Sequence, residues 1–211
     1  GMAVAPHSLA AQSALAVLRE GGNALEAMVS AAATIAVVYP HMNSIGGDGF
    51  WLVHTPGEAP RAIDACGAAA KSASIDWYRE RGVTGTIPFR GGVAANTVAG
   101  TISGWKVALD LAAQAGGKMP VSRLLEDAIH YAREGIVVTR SQTETTRLKL
   151  EGLRGQPGFD ETFLVKDAPP ATGTRFRHPR MAATLERLAR AGLDDFYRGD
   201  LARSFAKDLA A

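Results

Sequence analysis

The chain has 211 residues, of which 46% are hydrophobic and 21% charged, with a formal net charge of +2. This balance suits a soluble protein with a core of one-domain size and asks for no nucleic acid, because the richest basic stretch, RFRHPR from Arg175 to Arg180, is too short to follow a phosphate backbone. A single cysteine, Cys66, excludes an internal disulfide and a thiolate metal cluster, and the absence of any apolar run of about eighteen residues speaks against a membrane span.

The N-terminal GMAVAPHSLAAQ shows no positively charged leader before an apolar stretch. A cytoplasmic location is the expectation, with periplasmic or secreted placement open if a leader has been removed. Ser8 to Arg19 reads as a helix closed by Gly21-Gly22. Asn23 caps the next helix, Ala24 to Val38, with Glu26 at the third helical position completing a reciprocal cap, and Pro40 ends it. After the glycine-rich PHMNSIGGDGF, Phe50 to Thr55 reads as a buried strand paired through a Pro56-Gly57 turn with Arg61 to Asp64.

Ser74 starts a short helix through Arg81, and Gly82 to Ala99 reads as loop and strand around a tight junction. Helices follow over Gly100 to Ala115, from Pro120 to a stop at Gly135, and from Arg140 to about Leu150. An irregular glycine- and proline-rich segment leads to a helix from Pro179 with Met181, Leu185 and Leu188 on one face. Beyond a break at Gly192, Leu193 to Leu209 is helical with Tyr197-Arg198-Gly199-Asp200 as an internal joint.

Candidate chemistry is sparse. Cys66, among glycine and alanines, reads first as a small packed hydrophobe and second as a pocket residue. His41 reads as a structural hydrogen-bonding residue before a base, and Asp48 as a turn cap before a metal ligand. Ser44 beside His41 is not a nucleophile elbow, and GGDG is too short for either phosphate-loop signature. His7, His54, His130 and His178 show no ligand spacing, so no metal and no cofactor is expected.

Several segments in order, GMAVAPHS, GGNALEA, PHMNSIGGDGF, GTISGW, LLEDAIHYAREGIVVT and FYRGDLA, resemble the N-terminal part of the large subunit of the gamma-glutamyltransferase family over nearly the whole chain. The resemblance implies an α/β fold, the four-layer α-β-β-α sandwich of N-terminal-nucleophile hydrolases, of which this chain supplies the helix-rich part. Residues 1–211 would then be a single partial domain completed by a separate polypeptide, with the small subunit cut from the same precursor, and a dimer of the processed heterodimer is a further expectation. The nucleophile implied is the small subunit's N-terminal threonine, with its own α-amine as base, so no catalytic residue is expected in this chain.

The implied activity is hydrolysis, or acyl transfer, of gamma-glutamyl or small carboxylate-bearing amides through an acyl-threonine. Small-amide hydrolysis of the oxamate or cephalosporin-acylase kind, without transpeptidation, and a non-catalytic metabolite-binding homologue are the alternatives. Where the family pattern Gly-Arg-Glu-Thr-Ala-Pro grips the donor's α-carboxylate, this chain has Ala65-Cys66-Gly67-Ala68-Ala69-Ala70. Cys66 and Gly67 are therefore the substrate-pocket candidates. Loss of a desolvated arginine–carboxylate pair costs about 2–5 kcal/mol of recognition, and Cys66→Arg with Gly67→Glu is the exchange expected to restore gamma-glutamyl preference. The family's Val-Pro-Gly also appears as Val98-Ala99-Gly100, which loses a proline that fixes backbone direction.

Overall fold

The computed structural model describes residues 1–94 and 97–209. At its centre is α2 (Ala24–Val38), whose alanines and valines are buried on most faces, so that α1 (Ser8–Arg19), α4 (Thr101–Gln114) and α5 (Val121–Glu134) all pack against it. Small side chains permit that close approach from three sides. The helix α8 (Pro179–Ala191) covers the far side of α5. Val17, Val29, Ile102, Trp105, Leu124, Leu125, Leu185 and Leu188 join these helices in one core.

The reciprocal cap at α2 forms and does more than close a helix. Asn23 Oδ1 accepts from the Leu25 and Glu26 amides, and Glu26 Oε2 accepts from the Asn23 amide at 2.7 Å. The other Glu26 oxygen accepts from the Met119 amide at 2.7 Å, and Asn23 Nδ2 donates to the Ala112 carbonyl. A buried carboxylate is retained because backbone donors satisfy both of its oxygens, and it ties the start of α2 to the α4–α5 connection.

The hairpin is present as β1 (Gly49–Val53) and β2 (Arg61–Ala65), antiparallel, with Gly49 opposite Ala65 and Phe50 opposite Asp64. The reading of β1 as a buried strand is corrected: Phe50 is 70% and Leu52 80% exposed, whereas Trp51 on the other face packs toward the core. A two-stranded sheet buries one face against α4, and Phe50 and Leu52 on its second face are exposed among the described residues.

The short helix α3 (Ile75–Glu80) begins at Ser74, whose hydroxyl accepts from the Trp77 amide. In the segment beyond α5, β3 (Ile136–Val137) pairs with β4 (Arg175–Phe176), two strands that the sequence reading did not contain. The basic RFRHPR stretch is thus partly a strand, and Phe176 fills a second core with Ala10, Val38, Ile136 and Val138. Between them run α6 (Arg140–Leu153), one turn longer than expected, and a short α7 (Phe159–Phe163) inside the segment read as irregular. The C-terminal joint divides α9 (Asp195–Arg198) from α10 (Asp200–Leu209). No helix among the described residues is long and apolar enough to cross a membrane.

Candidate functional site

The glycine-rich loop divides its residues between two places. His41 Nε2 lies 3.1 Å from the Ser141 hydroxyl, the His41 and Tyr39 ring centroids lie 4.2 Å apart with the rings tilted at 59°, and Ser141 Oγ also meets Thr139 Oγ1 at 3.1 Å. Burial lowers the His41 pKa. This histidine pins the end of α2 to the start of α6, the structural role its sequence context suggested. Ser44 accepts from the Gly46 amide at 3.0 Å and so shapes the turn.

The other end of the loop is laced to two further segments. The Gly47 carbonyl accepts from the Thr101 amide at 2.9 Å and from its hydroxyl at 2.8 Å, and the Asp48 carbonyl lies 3.0 Å from the same hydroxyl. Asp48 Oδ1 accepts from the Gly67 amide at 3.2 Å, and Asp64 Oδ1 from the Cys66 amide at 3.0 Å. The Val98 amide donates to the Ala68 carbonyl at 3.0 Å, and Ala69 bridges Thr97. Residues 47–49, 64–69 and 97–101 therefore form one wall.

Two glycines make the wall possible. A Cβ on Gly67 would stand 1.4 Å from the Val98 carbonyl oxygen, and one on Gly100 would stand 2.0 Å from that of Ala65. The backbones cross in contact, which only glycine allows. A glutamate at Gly67, part of the expected exchange, requires the 97–99 segment to move. The two departures from the family pattern, at Cys66-Gly67 and at Ala99, meet at the same crossing.

Cys66 is exposed, so its reading as a packed hydrophobe is corrected. Its thiol lies beside the Asp48 carboxylate, which with partial desolvation and Asp64 pushes its pKa up. A thiol held protonated in this way is a poor nucleophile, and two carboxylates there repel an anionic group. An open cleft of about 570 Å³ adjoins the wall, lined by Gly46, Val98, Ala99, Phe196, Tyr197 and Phe205. Cys66 and Gly67 are not part of its lining. Among the side chains lining a groove of about 620 Å³ between α5 and α8, Arg123, Glu126, Arg133 and Glu186 are already in ion pairs, and the wall does not reach it.

Tyr197, read from sequence only as part of a joint, buttresses the wall: its hydroxyl donates to the Ala99 carbonyl at 2.8 Å and accepts from the Ser103 amide at 2.9 Å. The joint that presents it is built on Asp195, gripped by the Arg187 guanidinium at 2.9 and 3.1 Å and by the Asp200 and Leu201 amides. Arg187 holds the Asp195 carboxyl below its ordinary range. Gly199 is required because a Cβ there would fall 1.9 Å from the Asp195 carboxylate. The available signal was FYRGD itself, an aromatic, a glycine and an acid between two helical periods. Among the described residues no three His, Cys, Asp or Glu side chains converge to hold a metal ion.

The gamma-glutamyltranspeptidase family profile matches residues 10–211. The chain is 58% identical to the oxamate amidohydrolase proenzyme of Klebsiella pneumoniae, aligning over all of this chain and 40% of that protein. It is 35% identical to the glutathione hydrolase-like YwrD proenzyme of Bacillus subtilis, over 99% of this chain and 38% of that one. The crystal structure of Helicobacter pylori gamma-glutamyltranspeptidase superposes with a TM-score of 0.88 at 29% identity, covering 99% of this chain and 59% of that one. The chain thus spans about 40% of the length of these curated relatives. The superposition bears out the expected fold class, the helix-rich part of an N-terminal-nucleophile hydrolase.

Proposed function

Because the chain belongs to the gamma-glutamyltranspeptidase family, we propose that it is the large-subunit portion of an autoprocessed amidohydrolase whose substrate is a small carboxylate-bearing amide of the oxamate kind. Residues 1–211 are one partial domain, and the rest of the same precursor, the small subunit included, completes it. The nucleophile is a threonine at the new N-terminus of that subunit. It attacks the amide carbonyl, ammonia or an amine leaves, and water releases the acid from the acyl-threonine. This chain contributes the wall, with Cys66 and Gly67 at its edge, and no residue that makes or breaks a bond.

The observation that carries the reading is the acidic surrounding of Cys66. A gamma-glutamyl donor needs a cation for its α-carboxylate where this chain offers a protonated thiol between Asp48 and Asp64. A short acyl group has no such distal carboxylate to place there. The 58% identity to an oxamate amidohydrolase proenzyme supports the same choice. Glutathione hydrolysis is the second reading, favoured by the likeness to YwrD, and it requires a lysine or arginine from outside this chain to supply the grip.

The test is the ratio of kcat/KM values for oxamate, a glutaryl amide, glutathione and a gamma-glutamyl anilide on the matured full-length protein, a ratio insensitive to the amount of active enzyme. Oxamate should lead the gamma-glutamyl compounds by about a hundredfold or more, the scale of one lost carboxylate grip. Efficient glutathione hydrolysis with slow oxamate turnover reverses the order of the two readings.

A further inference from the structure

Asp48 is the only residue with a side chain in Gly46-Gly47-Asp48-Gly49, and that side chain bonds across nineteen residues of sequence rather than within its own turn. Its partner, the Gly67 amide, belongs to the one residue of the 64–69 segment whose Cβ position is occupied by the Val98 carbonyl. The same Asp48 is held from behind, because Thr101 binds the Gly47 and Asp48 carbonyls with one hydroxyl. Tyr197 then fixes Ala99 between these two anchor points. From these contacts we infer that Asp48 is a positioning residue: its carboxylate oxygen, as acceptor for the Gly67 amide, sets the height at which residues 65–69 pass Val98 and so where the Cys66 side chain stands at the edge of the wall.

Backbones that cross in contact have no side-chain packing to define their relative height, since glycine supplies none. Directional hydrogen bonds must define it instead. The crossing has one from Val98 to Ala68 on one side of Gly67 and one from Gly67 to Asp48 at the glycine itself. Removing the second leaves Gly67 tethered through Ala68 alone, and Cys66, one residue before it, keeps only its own amide's bond to Asp64 Oδ1. The role needs an acceptor oxygen in the right place and does not need a charge. A residue that touched substrate as a carboxylate would need the charge.

That distinction is the test, made on the matured full-length protein with Asp48→Asn, which keeps an acceptor oxygen, and Asp48→Ala, which does not. Asp48→Ala should speed hydrogen exchange in the 65–70 peptide and lower kcat/KM toward the small amide by about tenfold, chiefly through KM, the scale of one lost hydrogen bond to a charged acceptor. Asp48→Asn should recover most of both losses. Both changes should accelerate alkylation of Cys66 by iodoacetamide, because each removes the neighbouring charge. Asn as impaired as Ala in kcat/KM would overturn the inference in favour of a charge acting on substrate, and unchanged exchange in Asp48→Ala would overturn it outright. Should Asp48→Ala fail to mature, exchange in Asp48→Asn decides: wild-type protection supports the role, and lost protection refutes it. The effect on turnover rests on the amidohydrolase reading, whereas the exchange measurement does not. A wild-type protein inert toward small amides would sink that reading and leave this one to be judged by exchange.

Discussion

The helical layer and the glycine-laced wall solve the same problem with different materials. Around α2, chain segments are fixed by interdigitated side chains such as Leu124, Leu125, Leu185 and Leu188, all inaccessible to solvent. In the wall, segments 47–49, 64–69 and 97–101 approach so closely that side chains are excluded at Gly67 and Gly100, and hydrogen bonds donated by Thr101 and Tyr197 and accepted by Asp48 carry the geometry. Close packing tolerates a change of shape poorly but a change of charge hardly arises in it. A laced wall is sensitive to single atoms, and it leaves the outer face of its hairpin, Phe50 and Leu52, in solvent.

The largest effect should separate these regions directly. Leu125→Ala removes a fully buried side chain and should cost about 2–5 kcal/mol in urea unfolding of the full-length protein. Leu52→Ala should cost within about 0.5 kcal/mol if its side chain stays in water. A cost at Leu52 approaching that at Leu125 would mean that the rest of the precursor buries the hairpin's outer face, and the two regions would then differ only within this chain.

The same comparison can be made inside the wall. Gly67→Ala should destabilise by about 1–3 kcal/mol, because its methyl group must push the Val98 carbonyl aside. Gly47→Ala meets nothing within 4 Å of its new Cβ and should fall within about 0.5 kcal/mol of wild type. Equal effects at the two positions would show that the crossing yields, and would reopen Gly67 to a larger side chain.

Local signals made the helical layer legible in the sequence. Asn23 with Glu26, Ser74, Pro120 and Gly135 mark helix boundaries through their own backbone chemistry, and each falls at or next to the end it marks. The wall was half legible. Its glycines were visible as a cluster, but which backbone each one admits is a long-range fact: Gly67 answers to Val98 and Gly100 to Ala65. β3 and β4 were missed for the same reason, since two residues each, separated by nearly forty in sequence, leave no alternation to read. The exposure of Phe50, Leu52 and Cys66 was hidden because hydrophobic pattern reports what a segment can bury and does not say whether its cover lies in the same chain.

Glu26 carries the wall's method into the helical layer and gives an intermediate effect. Both of its oxygens accept backbone amides, one local and one from Met119. Glu26→Gln replaces one acceptor with a donor facing a donor, and should cost about 1–2 kcal/mol. Glu26→Gln and Asn23→Ala should be non-additive, since both act on one cap. Strict additivity in a double-mutant cycle would mean that the α4–α5 connection is held independently of the α2 cap.

The smallest expected effect concerns protons, and it too falls unequally on the two regions. His7 and His178 cap α1 and α8 through Nδ1, accepting from the Leu9 and Met181 amides at 3.3 Å, and His41 joins α2 to α6. Burial lowers the pKa of all three from the ordinary 6.5, with Arg180 adding to the effect at His178. Between the folded pKa and 6.5 the unfolded chain therefore binds more protons than the folded one. Stability is complete above about pH 6.5, declines as the pH falls through that value, and levels off once it passes below the folded pKa. At the joint beneath the wall, Asp195 titrates in a separate window: its carboxyl, lowered from 3.8 by Arg187, contributes stability that is lost only in stronger acid. Urea midpoints should consequently drop between about pH 7.5 and pH 5.5, and His7→Asn with His178→Asn, which keep a capping oxygen without a titrating group, should flatten that part of the profile. A slope unchanged by both replacements would assign the mild-acid loss to His41 at the α2–α6 seam, moving the pH-sensitive point from the helix caps to the start of the glycine-rich loop.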